Sequence, residues 1–416
     1  MSECGCSSHT GGAPLKPLDE ALELLLGHAR PVAERERVAL PQTLGRVLAE
    51  GVTSRITMPP WDNSAMDGYA VNSADVPACG TRLPVSQRIP AGSTGGPLAR
   101  GTAARIFTGA PVPPGADAVV IQELCEERDG SVTIGQVPEA GANIRRAGED
   151  IREGSEVLAA GTRIGPQHLG LLASVGVDRV PVWRRVRVAI FSSGDELVMP
   201  GQPLAPGQIY NSNEFTLEAL LRSIGCEVVK MGIVEDTLEA TCRALEEAAG
   251  MADLVMTSGG VSVGEEDHIK PAVEKLGSLD LWKIAIRPGK PLAFGHIGDT
   301  PFIGTPGNPV SLFVTFCLLG RPFILTTQGV TGDLRPTPVV ARAGFDWPRP
   351  DKRREFARAR LETDATGEAQ VTLYRSRSSG VLSSLAWANG LAILPENRPL
   401  KQGDPVHFLP FSELLS

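Results

Sequence analysis

Residues 257–270, TSGGVSVGEEDHIK, set a glycine-rich turn directly against Glu265, Glu266, Asp267 and His268, after an apolar run ending at Met256. Glycines after a strand offer backbone N–H groups to a phosphate, here from Gly259, Gly260 and Gly264 with Ser262 among them. The acids oppose that use, since a carboxylate about 4 Å from a phosphate costs on the order of 4 kcal/mol at an effective dielectric near 20. A hydrated Mg²⁺ reconciles the two, because it takes one or two protein carboxylates and otherwise keeps waters and phosphate oxygens. Glu196 and Asp236, each just beyond a strand, could complete the set with Asp267. The plainer alternative makes Glu265 and Glu266 surface charges and Asp267 the cap of a helix, HIKPAVEKLG; it suits the glutamates better than Asp267.

Two more glycine-bearing loops follow apolar strands: SSGDE, with Ser193 and Gly194, and GTPGNPVS, with Pro306, Gly307, Asn308 and Pro309. In a parallel sheet such loops gather at the carboxyl edge, so all three should face one crevice. Asn308 stands at a helix N-cap and Pro309 at the first helical position, ahead of VSLFVTFCLL. That end is either an anion site or an ordinary capped start. AIRPGKPLAF adds Arg287 and Lys290 on a turn stiffened by Pro288 and Pro291, with Lys283 four residues before Arg287; a solvated turn is the alternative. Asp62, Asn63, Ser64, Asp67, Thr108 and Asp117 sit in MPPWDNSAMDGYAV and IFTGAPVPPGADAVV, where Asx turns explain such residues. No Walker A pattern occurs, no GxGxxG follows a strand, and no Ser-His-Asp set can be assigned.

The elements that must position these loops come from periodicity. Residues 186–334 alternate apolar strands with amphipathic helices, which predicts a parallel sheet flanked by helices. Residues 1–14, rich in Ser, Gly and Cys, read as a disordered lead. A helix is predicted from Leu18, Ala21, Leu22 and Leu25 on one face, and residues 149–185 read as a turn-rich stretch followed by a short helix and a strand. Short runs broken by Gly and Pro make residues 56–148 a β-rich domain, and residues 335–416 a small C-terminal β-barrel. The fold class is therefore multidomain, α/β plus β, around a central parallel-sheet domain.

A chain of 416 residues supports two to four such domains. A net charge of -8 argues against nucleic acid, and WRRVRV and DKRREFARARLE read as solvated faces. No signal peptide opens the chain, and Gly320, Arg321 and Pro322 interrupt VSLFVTFCLLGRPFIL, so no membrane span is expected. Seven scattered cysteines suit reduced thiols and a cytoplasmic protein. Cys4, Cys6 and His9 could hold a metal, although their spacing is not a zinc pattern.

The motifs DNSAMDGYAV, TGAPVPPGADAVV, IRRAGEDI, SSGDEL, SGGVSVGEEDHIK, IRPGKPLAFG and GTPGNPVS, in this order, resemble those of the MoeA family of molybdopterin molybdenumtransferases, which includes the gephyrin E domain. The resemblance spans nearly all the chain after residue 15. It implies a four-domain elongated homodimer whose α/β domain binds the pterin, and it alone implies that residues 15–55 and 149–185 form one elongated linker or dimerisation domain. It further implies the reaction: adenylylated molybdopterin is hydrolysed with Mg²⁺ present, molybdate is inserted at the dithiolene, and AMP leaves. Matching motif positions make Asp67, Thr108, Asp150, Glu196, Asp236 and Asp267 the functional polar residues. They make Lys290, Pro291, Ser311, Arg358 and Ser379 the molybdate pocket, the last two in weaker motifs. Asp67 and Thr108 would close over the partner subunit's crevice. Molybdopterin adenylyltransferase and molybdoenzyme apo-proteins are the implied partners. Arg287 replaces a common lysine, changing a point charge to a fork. The rival readings are the adenylyltransferase itself, whose loop reads GGTG before an Arg-Asp pair, and a non-catalytic dimeric scaffold.

If Asp267 holds the metal, Asp267→Asn keeps the size and removes the charge. Hydrolysis of adenylylated molybdopterin should then fall about 100-fold, the loss of one electrostatic contact worth roughly 3 kcal/mol. Phosphate binding should fall much less; unchanged hydrolysis with a lower melting temperature would reduce Asp267 to a helix cap.

Overall fold

The computed structural model describes residues 15–259, 268–364 and 367–415. Gly260, Ser262, Gly264 and Asp267, with Glu265 and Glu266, therefore lie outside the described residues, as do Cys4, Cys6 and His9.

The central sheet runs in the order Glu227–Val234, Arg187–Ser193, Leu254–Ser258, Thr300–Thr305, Pro291–Ile297, Gly277–Lys283. The first four strands are parallel, with Ser192 opposite Ser258 and Ser258 opposite Thr305. Their near-continuous apolar runs follow from burial on both faces, which helices cover. The expectation of a parallel sheet needs one correction: the last two strands are antiparallel. Strands Pro291–Ile297 and Thr300–Thr305 are joined by only Gly298 and Asp299, with Gly298 at φ 55°. So short a link permits a hairpin and no crossover.

The helix that follows runs through Pro309–Thr315, a π-helical turn Phe316–Gly320 and Arg321–Thr327. The sequence reading took this helix as VSLFVTFCLL and counted Gly320, Arg321 and Pro322 as interrupting the apolar run. The π turn shifts the hydrogen-bond ladder just ahead of the proline, which has no N–H to give, so the helix continues. Pro309–Thr327 is long and apolar enough to cross a membrane, yet 89% of it is buried inside the fold. It is a core helix, packed against Phe294, Met256 and the barrel residues Phe356 and Leu409.

Leu18–His28 buries Ala21, Leu22 and Leu25 in that same core, beside Trp282, Phe294 and Phe323. Its apolar face thus packs on the α/β core. The remainder of the linker pairs Arg35–Ala39 with Arg179–Trp183 and Val52–Thr53 with Glu156–Leu158, over a core of Val38, Leu48, Ile164, Leu172 and Val180. A six-stranded β unit lies between, and its two apolar cores come only from residues 69–144.

The C-terminal strands close a five-stranded barrel, because Arg354–Thr363 pairs with both Ala369–Leu373 and Gly390–Leu394. One further pairing fastens it to the α/β unit: Ile286–Arg287 lies parallel to Arg354–Glu355, with Arg287 opposite Glu355.

Separate cores should unfold separately. Phe294→Ala, deleting a ring 1% exposed, should destabilise the α/β unit by about 3–5 kcal/mol. A urea titration should show its transition shifted and that of the β-rich unit, followed through Tyr69, unmoved; a common shift would mean that the units fold as one.

Candidate active site

Three of the loops meet at the carboxyl edge of the sheet. The Ser193–Glu196 loop, the turn at Gly259 and the Pro306–Pro309 turn line a cavity of about 370 Å³ with Tyr210, Asn211 and Asn213. It continues into a crevice of about 820 Å³, which shares Glu196, Gly259, Gly307 and Asn308 and adds Arg287, Lys290, Pro291, Ser311 and Ser379. Serines seal the strand ends beneath: Ser192 and Ser258 hydroxyls are 2.9 Å apart, and Thr305 donates to the Thr257 carbonyl at 2.7 Å.

Backbone conformation favours glycine at position 259. Gly259 has φ 91° and donates its N–H to the Thr305 carbonyl at 3.0 Å, while a Cβ on Gly307 would stand 3.5 Å from the Gly259 Cα. The two turns therefore abut, backbone to backbone. Glu196 is exposed and folds back over Gly194, where a Cβ would lie 2.6 Å from its Oε2.

Thr237, not Asp236, caps the helix Leu238–Met251, accepting the Ala240 N–H at 3.2 Å. Asp236 is thereby left to accept from the Ser193 hydroxyl at 3.1 Å, which ties it to the loop carrying Glu196. Asn308 occupies the N-cap of its helix but makes no side-chain capping bond; Asn213 Nδ2 donates to the neighbouring Gly307 carbonyl at 2.7 Å. The Val310 N–H is taken by the Ser379 carbonyl at 3.1 Å, which joins helix start to barrel loop.

Arg358 does not line the crevice. It is 2% exposed, and it donates to the carbonyls of Ser376 and Ser378 at 2.7 and 3.0 Å and to the Ser384 hydroxyl at 3.0 Å. Burial pulls its guanidinium down from the usual range, with Glu355 opposing. It shapes the loop that presents Ser379. Lys283 ends its strand opposite Pro291 and also stands outside the lining.

Asp67 and Thr108 meet on the β-rich unit. The Thr108 N–H and hydroxyl each donate to Asp67 Oδ1 at 2.8 Å, and the N–H foremost holds that carboxyl below its ordinary range. Asp150 is exposed in the turn leading to the linker. Asp62 and Asp117 brace turns, accepting from the Ala147 and Ser73 N–H groups.

Sequence reasoning missed two crevice residues altogether, Arg353 and Arg377. Both come from the barrel, and Arg353 begins the RREFARARLE run that was read as a solvated face. Glu355, Phe356, Ala357 and Arg358 within it are all buried. The small Ala357 and Ala359, two apart on one face of the strand, were the signal, since they let other chain pack closely over that face.

Comparison with known proteins agrees with this geometry. The model described as MoeA N-terminal region (domain I and II) matches residues 16–176, that of a probable molybdopterin binding domain 189–326, and that of the MoeA C-terminal region (domain IV) 340–411. The molybdopterin molybdenumtransferase of Haemophilus influenzae is 38% identical over 400 residues, covering 96% of this chain and 99% of the relative. Molybdopterin molybdenumtransferase 2 of Mycobacterium tuberculosis is 40% identical over 391 residues, 89% of this chain and 95% of the relative. The crystal structure of the molybdopterin biosynthesis protein MoeA from Pyrococcus horikoshii superposes with a TM-score of 0.81 at 29% identity, covering 95% of this chain and all of that one. With sequence and architecture both matched almost end to end, the chain belongs to the MoeA family.

Proposed function

We propose that this chain is a molybdopterin molybdenumtransferase, completing molybdenum cofactor by inserting molybdate into adenylylated molybdopterin. One observation carries the reading: a single crevice joins two abutting glycine turns to Arg287, Lys290, Arg353 and Arg377, with Glu196 at its edge. Backbone N–H groups and cations suit a pyrophosphate, and Lys290, Ser311 and Ser379 suit a tetrahedral oxyanion beside it.

In that reaction water displaces AMP from the pyrophosphate, one P–O bond forming as another breaks and a proton passing to solvent. The chain's part is positioning and charge. Lys290 and Arg287 face the charge spread over the equatorial oxygens, and the turns at Gly259 and Gly307 hold the phosphates against the sheet edge. Prolines on both sides fix the turn at Gly289, which has φ 103° and no room for a Cβ, since one would lie 2.5 Å from Thr315 Oγ1. The donor chemistry fits Mg²⁺: Glu196 lines the crevice and Asp236 is tied to the same loop through the Ser193 hydroxyl, and together they offer the one or two carboxylates this ion takes. Bound there, it would neutralise phosphate charge.

The β-rich unit enters through a second copy of the chain. Trp61 and Met66, beside Asp67, are 50% and 42% exposed, and Ile209 and Tyr210 at the crevice are 55% and 44% exposed. Apolar surface at both places favours closure of one over the other, in a cytoplasmic homodimer with composite sites.

Purified protein given adenylylated molybdopterin, Mg²⁺ and molybdate should release AMP and yield cofactor that activates an apo-molybdoenzyme. Lys290→Ala should lower this by about 100-fold or more; AMP release without active cofactor would exclude the transferase. Mixing Asp67→Ala chains with Lys290→Ala chains should restore part of the activity, since one site per heterodimer is intact. No recovery after demonstrated subunit exchange would refute shared sites.

A further inference from the structure

Behind the crevice wall lies a carboxylate that the reading above does not use. Glu355 is 3% exposed and stands opposite Arg287 in the strand pairing that joins barrel to α/β unit. It accepts from Arg377 through Nε at 3.1 Å and through Nη2, and lies 3.8 Å from Arg287 Nε. Asp351 continues the line, accepting from Arg287 Nη1 at 3.0 Å and from Arg353 Nε and Nη2 at 3.2 and 3.1 Å. Arg353 and then Arg287 hold Asp351 well below the usual carboxylate range.

The order Arg353, Asp351, Arg287, Glu355, Arg377 alternates sign, with three cations to two anions. The arginines line the crevice, and neither carboxylate does. Arg287 and Arg377 keep 34% and 38% of their side chains exposed and line the crevice, while Glu355 behind them is 3% exposed. Arg377 is held on a second side too, its guanidinium 4.4 Å from the centroid of the Trp347 ring. Two contacts fix its plane while one edge still faces the cavity.

We propose that Glu355 is a positioning residue that presets Arg377 and Arg287 as an oxyanion locus on the barrel wall of the crevice. The ligand is a tetrahedral oxyanion, either free molybdate or a phosphoryl group of the substrate's pyrophosphate. This rests on the reading of the crevice as the site for an anionic substrate. Recognition comes from the planar fork of each guanidinium, which binds two oxygens only when its plane is fixed beforehand.

Charge counting and positioning predict opposite signs. Glu355→Gln removes a negative charge beside the locus, so charge alone would tighten anion binding. Positioning says that it weakens, because the amide keeps one acceptor oxygen and turns an N–H₂ donor toward the guanidiniums, so the two-oxygen hold on Arg377 is lost. Calorimetric titration of the full chain with sodium molybdate and, separately, sodium pyrophosphate decides between them. Glu355→Gln should weaken at least one ion by about tenfold, and Arg377→Lys, which keeps the charge and loses the fork, should weaken the same ion. Loss for molybdate assigns the locus to the free ion, loss for pyrophosphate to the substrate bridge, and loss for both to a shared locus. Unchanged or tighter binding of both ions by a Glu355→Gln chain with native circular dichroism overturns the proposal. Should that variant not fold, Arg377→Lys decides alone, and unaltered binding of both ions by it is the overturning result. If the unsubstituted protein binds neither ion, the anionic crevice itself fails, and this inference with it.

Discussion

Positive charge dense enough to hold a multiply charged substrate also repels itself, and the architecture around the crevice answers that constraint. Two guanidiniums about 6 Å apart repel by roughly 3 kcal/mol at an effective dielectric near 20. Asp351 and Glu355 stand between Arg353, Arg287 and Arg377 and cancel that repulsion from behind, leaving the front of the wall cationic. A carboxylate buried as deeply as Glu355 is itself costly unless several donors surround it, so each sign needs the other. The short pairing of Ile286–Arg287 with Arg354–Glu355 puts them in register, which makes the barrel a functional wall and not an appendage.

The sheet solves a different part of the problem. Its parallel strands end together, so the turns at Ser193, Gly259 and Pro306 meet at one edge and line one cavity. The helix after Pro309 is anchored at its start by Ser379 and along its length by the central core, and its π turn lets it pass Pro322 without breaking. Rigid turns on one side and a braced wall on the other leave little for the substrate to reorganise. Electrostatic catalysis depends on that condition.

Much of this was legible in the sequence because local rules carry it. Strand-then-glycine patterns located the three turns, and the proline-flanked RPGKP located Lys290 beside them. The pairing of Asp67 with Thr108 was visible only as two polar turn residues 41 positions apart, and only the fold brings them to 2.8 Å. Arg353 and Arg377 were hidden for a physical reason: Arg377 pairs with Glu355 on a strand 22 residues away, and the charge run that holds Arg353 has the same composition whether it faces water or a crevice. The helix Leu18–His28 was legible as a helix, but its packing on the central core was not, since amphipathic period fixes a buried face and not what buries it. The continuation of the helix beyond Leu319 and across Pro322 was not read, because a π turn leaves no mark in residue type.

The central claim is that α/β turns and barrel arginines form one oxyanion-binding crevice. Anomalous diffraction at the molybdenum edge from crystals equilibrated with molybdate tests it most directly. The account predicts a molybdenum peak inside the crevice, in contact with Lys290, Ser311 or Ser379 on one side or Arg287 and Arg377 on the other. Molybdenum bound only elsewhere, with those side chains unchanged around solvent, would contradict it.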